Sequence, residues 1–164
     1  MSGGHLNPAV TIGLAIENRI SKGKVVPYII GQCVGAILAS AALLLLLGTP
    51  EHGLGETTVG LGLRQALGAE FSLTALLVFL VLGVTDKGAP AGLGGLLIAV
   101  YLAASHLVGI PFSGNSLNPA RSLGPALLVG GAALQQLLLV YTAAPMLGAL
   151  VGALVYRRVK GDWK

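Results

Sequence analysis

Charged residues are scarce in this chain of 164 residues, since only 10% of them are Asp, Glu, Lys or Arg. Soluble domains carry about 25%, so the composition excludes a protein whose whole surface faces water. Aromatic residues are also few, at 5%, whereas hydrophobic residues make up 54%. The apolar character therefore comes from aliphatic side chains, which predicts an integral membrane protein.

Cysteine occurs once, at Cys33, which excludes a disulfide within the chain. The formal net charge is +4, but the basic residues lie at the ends of apolar stretches rather than on one continuous patch. We therefore expect no nucleic-acid partner.

Glycine, in contrast, is abundant, with 25 residues. Small residues let membrane helices approach closely, because packing drives their association in lipid. The helical spacing of Gly31 with Gly35, and of Gly148 with Gly152, predicts two such faces.

Four stretches are long and apolar enough to cross a bilayer, which requires roughly 20 residues. They are residues 25–47, 66–84, 92–110 and 134–156. Two shorter apolar stretches, 8–16 and 119–129, are typical of re-entrant segments. Their polar loops must be buried in protein or line a water-filled cavity.

A near-repeat precedes each short stretch. Ser-Gly-Gly-His-Leu-Asn-Pro-Ala at positions 2–9 resembles Ser-Gly-Asn-Ser-Leu-Asn-Pro-Ala at positions 113–120. Asn is among the best helix N-caps, and Pro is favoured at the first helical position. Each segment is therefore predicted to be a loop that ends in a helix N-terminus. The motif residues are Asn7, Pro8 and Ala9, and Asn118, Pro119 and Ala120.

The basic residues predict how the spans are oriented. They cluster at 19–24, at Lys87 and at 157–160, and alternate crossing brings all three clusters to one side. The positive-inside rule makes that side cytoplasmic. The first loop then enters from the cytoplasm and the second from outside, so the two half-helices meet near the midplane.

An odd number of spans between two similar loops is typical of an inverted repeat. We expect one domain over 1–164, with 1–64 in the first repeat and 65–164 forming the second. Two spans precede the second motif, and none precedes the first. We therefore expect the first two spans of the complete arrangement to be missing, with Met1 an internal start or the chain a fragment.

Two helix N-termini that face each other place partial positive charge at the centre. This arrangement disfavours cations, protons included. The amides of Asn7 and Asn118 can orient a water molecule there and interrupt a proton-conducting chain of waters.

Three polar residues lie within or beside the apolar segments. Arg121 follows the second motif, and a charge in the membrane costs at least about 2.5–3.5 kcal/mol, which favours a functional role. His106 is expected to face Arg121, although a buried core histidine is the alternative. Glu70 is expected to anchor a loop by accepting backbone N–H bonds; a proton relay would need a second carboxylate in a span.

These residues resemble the major intrinsic protein family of aquaporins and glycerol facilitators. The resemblance covers the whole chain through both Asn-Pro-Ala motifs, the Ser-Gly-Gly-His before the first, the Arg-Ser after the second, and Glu70. It implies an all-α polytopic membrane protein with four of the six family spans and two re-entrant half-helices. It also implies a homotetramer in which each subunit holds its own pore.

The resemblance further implies a selectivity filter of His106, Asn115 and Arg121, although water channels more often carry Thr, Cys or another small residue at the position of Asn115. Backbone carbonyls are expected to line the path at Gly3, Gly4 and His5, and at Gly114, Asn115 and Ser116. Ser122 after Arg121 is similar to the water-specific type.

The resulting hypothesis is a passive water channel in the cell membrane, with water and the lipid bilayer as partners. It performs no reaction and needs no metal or cofactor. The alternatives are a facilitator for glycerol or another small neutral solute, and an inactive fragment. An intramembrane serine protease that pairs Ser113 or Ser116 with His106 is the alternative from another class.

Overall fold

The computed structural model describes residues 3–161, and within them all regular structure is helical. Four segments are long and apolar enough to cross a membrane. They are α2 (Lys22–Leu47), α3 (Leu63–Val84), α4 (Gly94–Ser113) and a fourth span over Leu139–Gly161. Together with two half-helices, α1 (Pro8–Ile16) and α5 (Pro119–Val129), they confirm the predicted fold class.

Both half-helices have the predicted bounds, because the signals that start them are local. Asn7 is the N-cap of α1, and its Oδ1 accepts from the Ala9 N–H at 2.8 Å. Asn118 caps α5 in the same way and accepts from the Ala120 N–H at 3.1 Å. A Pro follows each cap, where its missing N–H costs nothing.

The end of α1 is set by a left-handed residue, Asn18, with φ +53°. The Asn18 N–H donates to the Ala15 carbonyl at 3.0 Å, and the Arg19 N–H donates to the Leu14 carbonyl at 2.8 Å. These two bonds form a Schellman motif, which stops a helix and sets the direction of the chain beyond it.

The fourth span differs from the prediction of one helix over 134–156. The chain instead forms a short helix, α6 (Gly131–Leu137), then one π-helical turn (Leu139–Ala143), then α7 (Ala144–Gly161). Pro145 accounts for the wide turn, because it has no N–H with which to close an α-helical bond four residues back.

Close contact between helices depends on glycine where α7 crosses α3. A Cβ on Gly152 would lie 3.1 Å from the Cα of Ala75, and one on Gly148 would lie 3.1 Å from the Ala75 nitrogen. These two positions confirm one predicted packing face. At Gly31 and Gly35 on α2, a Cβ would meet nothing within 4 Å, so the second predicted face is not a contact within residues 3–161.

The core of this part of the chain lies between α1, α3 and α7. It contains small and aliphatic residues from all three helices, with Ala9, Leu82 and Ala153 fully buried. In contrast, Ser40 is the one residue of α2 that is buried, and most of α4 is exposed. In a membrane protein such apolar faces meet lipid, which solvates them without cost.

We predict that Gly152→Ala lowers the free energy of unfolding by about 1–3 kcal/mol, because the added methyl group overpacks the contact with Ala75. The matched control is Gly35→Ala, which adds the same methyl group to an open surface and should cause no loss. Unfolding in mixed micelles, followed by circular dichroism, measures both. Equal effects of the two substitutions would contradict the packing argument.

Candidate functional site

The two motif loops share an unusual backbone. Gly3 and Leu6 have φ values of +65° and +55°, and the corresponding Gly114 and Leu117 have +68° and +54°. These residues lie four positions and one position before each motif Asn. Leucine rarely adopts positive φ, and such strain persists only where the surroundings enforce it. The repeated strain therefore marks both loops as parts of one built site.

The two motif asparagines cross-link the loops reciprocally. The Asn7 amide nitrogen donates to the Leu117 carbonyl at 2.8 Å, and the Asn118 amide nitrogen donates to the Leu6 carbonyl at 2.8 Å. Each Asn therefore caps its own helix through oxygen and bonds the opposite loop through nitrogen. An amide nitrogen carries two hydrogens, so each keeps a second N–H beyond this bond. The half-helices thus meet at their positive ends.

A cleft of about 950 Å³ passes this junction. The first loop lines it with Gly3, Gly4, His5, Leu6 and Asn7, and the second with Ser116, Leu117 and Asn118. Aliphatic side chains of the spans also line it, among them Leu77, Val81 and Leu102. We call the part that the two loops line the polar strip of the cleft.

One end of the cleft is lined by His106 and Arg121, and we call it the outer end after the orientation predicted from the basic residues. The His106 Nδ1 lies 2.7 Å from the Leu102 carbonyl and 3.0 Å from the Asn115 amide nitrogen. One edge of the imidazole is therefore held by the protein. Among residues 3–161, the Arg121 Nη1 is buried without a hydrogen-bond partner.

Glu70 is fully buried behind the second loop and makes three hydrogen bonds of 2.7 Å. One oxygen accepts from the Ser113 hydroxyl and the Ser116 N–H, and the other accepts from the Leu117 N–H. These contacts are those expected of a loop anchor. The Tyr141 hydroxyl adds a bond to the Ser113 carbonyl at 2.9 Å, which sequence reasoning missed because an aromatic residue in an apolar span gives no such signal.

The other end of the cleft, which we call the inner end after the same predicted orientation, is lined by Arg19 and Thr85. Beside them, Asp86 accepts a hydrogen bond from the Tyr156 hydroxyl and forms an ion pair with Lys160 at 2.9 Å. The Tyr156 and Lys160 bonds hold the pKa of the Asp86 carboxyl well below its usual range. The sequence had indicated the basic residues here only as markers of membrane orientation.

Comparison with known proteins agrees with this geometry. The profile of the family described as "Major intrinsic protein" matches residues 1–156. The chain belongs to the major intrinsic protein family. A protein named Aquaporin Z from Rhodopseudomonas palustris is 42% identical over 168 aligned residues, and one of that name from Bradyrhizobium diazoefficiens is 39% identical. Each alignment covers 96% of this chain and 70% of the relative.

The fold is also similar to the X-ray structure of the aquaglyceroporin from Plasmodium falciparum, with a TM-score of 0.83 and 26% identity. That likeness covers 99% of this chain and 75% of the other. Major intrinsic proteins are membrane channels, not enzymes. The serine protease alternative is therefore wrong, and Ser113 and Ser116 serve the loop instead.

Gly114 and Asn115 are not among the residues that line the cleft, so the lining of the path by their carbonyls stays a prediction. Gly114 caps α4 and packs against Thr57 and Thr58, where a Cβ would lie 3.3 Å from the Thr58 nitrogen. The Asn115 side chain is fully buried and donates to the Ser105 hydroxyl at 3.1 Å. Asn115 therefore lies behind His106 rather than beside it.

We predict that Glu70→Gln lowers the free energy of unfolding by about 1–3 kcal/mol. The amide nitrogen of Gln cannot accept a hydrogen bond, so one of the loop N–H groups that Glu70 now binds would be buried without an acceptor. The control is Thr74→Val, one turn further along α3. The Thr74 hydroxyl is buried without a partner in the described part of the chain, so its removal should be neutral or stabilising. Chemical unfolding in detergent measures both, and an unchanged Glu70→Gln variant would argue against the anchor.

We predict that acid destabilises the protein partly through Asp86. Its lowered pKa means that the ionised carboxylate stabilises the fold above its usual pKa near 4, and that this stabilisation is lost as the pH falls toward the folded value. In Asp86→Asn, the fall in melting temperature between pH 6 and pH 3 should be shallower. Glu51→Gln, at an exposed carboxyl, is the control and should keep the wild-type slope.

Proposed function

We propose that this chain conducts water passively down an osmotic gradient while excluding protons and other ions. The observation that carries the proposal is the reciprocal bonding of Asn7 and Asn118, which joins two helix N-termini beside the cleft. Family membership supports a channel, and the polar strip of the cleft supports a path for a small hydrogen-bonding solute.

At the centre, two helix N-termini repel cations because each carries about half a positive charge. The second N–H of each motif amide donates to the oxygen of a passing water. A water that accepts from Asn7 or Asn118 directs its hydrogens away from the centre. It therefore cannot accept a proton from one neighbour and pass it to the next.

Backbone carbonyls along the polar strip accept hydrogen bonds from water in the proposed path. Gly3, Gly4 and His5 serve the inner half, and Ser116 serves the outer half. The aliphatic side chains of the spans offer no second set of partners, so water follows the polar strip.

At the outer end, His106 and Arg121 form the proposed filter. The place of Arg121 in the lining of the cleft supports this role, because a guanidinium carries five N–H donors with which it can bond a passing solute. Asn115 contributes by holding His106 from behind. The positive guanidinium adds a second electrostatic barrier to cations.

The choice of water over glycerol is supported by His106, whose ring occupies space beside Arg121, and by the two relatives named Aquaporin Z. Glycerol is the second candidate, since the structural neighbour is an aquaglyceroporin. We also infer two repeats, 1–64 and 65–164, a homotetramer, and the cell membrane as the location.

We predict that proteoliposomes containing the protein shrink several-fold faster than empty vesicles after an osmotic step, measured by stopped-flow light scattering, with little uptake of glycerol. His106→Gly with Arg121→Val should admit glycerol, because it widens the outer end and removes its donors. Folded protein whose vesicles shrink at the rate of empty ones would overturn the proposal. Rapid wild-type uptake of glycerol would select the second candidate.

A further inference from the structure

The cleft carries a guanidinium at its inner end as well as at its outer end. Arg19 and Thr85 line this cleft and also line a second, adjoining cleft of about 1000 Å³. Asp86, Lys87 and Lys160 line the second cleft but not the first. Arg19 and Thr85 therefore form the neck between the two spaces.

The local sequence brings Arg19 to this position. The Schellman motif at the end of α1 includes a hydrogen bond from the Arg19 N–H, next to the left-handed Asn18. This bond fixes the direction in which the chain leaves the helix at Arg19. The half-helix that Asn7 caps at its start is thus followed by Arg19, whose guanidinium lies at the inner end of the same cleft.

Hydrogen bonds hold the guanidinium in place. Its Nη1 donates to the Leu82 carbonyl at 2.8 Å and to the Thr85 hydroxyl at 2.9 Å. Its Nη2 donates to the Tyr156 hydroxyl at 2.7 Å and lies 3.5 Å from an Asp86 oxygen. The carbon at the centre of the guanidinium lies 5.2 Å from the centre of the Tyr156 ring. Contacts from α3, α7 and the loop after α3 therefore fix this charge.

The neighbouring carboxylates do not cancel the positive charge. Asp86 is shared between Arg19 and Lys160, and the Lys160 ammonium lies closer to it, at 2.9 Å. Glu17, the other carboxylate lining the second cleft, is bonded by the Arg157 guanidinium at 2.8 Å. With Lys87, which also lines the second cleft, four cations thus meet two carboxylates around the neck.

We propose that Arg19 is a specificity-determining residue that places a fixed positive charge at the inner end and repels cations before they reach the motif asparagines. It is the counterpart of Arg121 at the outer end. This role rests on the proposed function of the cleft as a conducting path. The electrostatic part can be measured separately from conduction.

The first test measures the charge at the neck with thiol reagents on the full chain. Cys33→Ala removes the native thiol, and Thr85→Cys places one beside Arg19. The rates of modification by anionic methanethiosulfonate ethylsulfonate and by its cationic trimethylammonium analogue are then compared. Arg19→Gln should lower the anion-to-cation rate ratio about tenfold, whereas Arg19→Lys should largely preserve it.

The matched control is Lys24→Cys, an exposed position outside both clefts. Its rate ratio should not respond to Arg19→Gln. A ratio at Thr85→Cys that is unchanged by Arg19→Gln would overturn the inference. A change of packing or access alone would change both rates together, and so would leave the ratio unchanged.

The second test measures cation leakage in proteoliposomes. The charge of Arg19 also raises the energy of a cation at the centre of the cleft. Arg19→Gln is therefore made in the Arg121→Val background, which lacks the outer guanidinium, and should raise the proton leak there several-fold. Arg19→Lys in that background should not. No increase with Arg19→Gln, in vesicles that still conduct water, would refute the role of Arg19 alone. Absence of water flux in the wild type would instead refute the proposed function, and the thiol ratio would still decide the charge at the neck.

Discussion

The reciprocal bond between the two motif amides is the constraint on which the site depends. At membrane depth, a polar group without a partner costs several kcal/mol. Each motif Asn uses its oxygen on its own helix and its nitrogen on the carbonyl before the other Asn. Neither half-helix can begin at the centre alone. Without its partner, the amide nitrogen of its motif Asn and the Leu carbonyl of its own loop would lack these hydrogen bonds. The meeting of the two positive helix ends follows from this pairing.

The two motif loops have the same backbone conformation, but different side chains hold each of them. The second loop is held by the buried Glu70, which bonds two successive loop N–H groups. The first loop is held through Thr11, whose hydroxyl contacts the His5 ring nitrogen at 3.1 Å and accepts from Gln32 at 2.9 Å. The Tyr28 ring packs on His5 at 4.6 Å. Backbone geometry is thus repeated, whereas the side chains that enforce it are not.

Close helix packing and the placement of charged residues are two further features of this structure. Glycines on α7 let two helices touch backbone to backbone, which removes the need for large interdigitating side chains. The cleft is lined by the guanidinium-bearing Arg19 and Arg121 and otherwise by neutral amides, carbonyls and aliphatic groups. Two of the few charges of the chain therefore lie in the cleft, while the outward faces of the spans remain apolar.

The sequence by itself determined the half-helices, because capping by Asn7 and Asn118 is local, and the four spans, because length and hydropathy decide crossing. It also indicated Glu70, since a buried carboxyl needs donors. Only the tertiary structure decided that each motif amide bonds a loop 110 or 112 residues away, that Asn115 lies behind His106, and that Arg19 lines the inner end of the cleft. Those outcomes depend on which distant backbone lies within hydrogen-bond distance, and no local pattern records it.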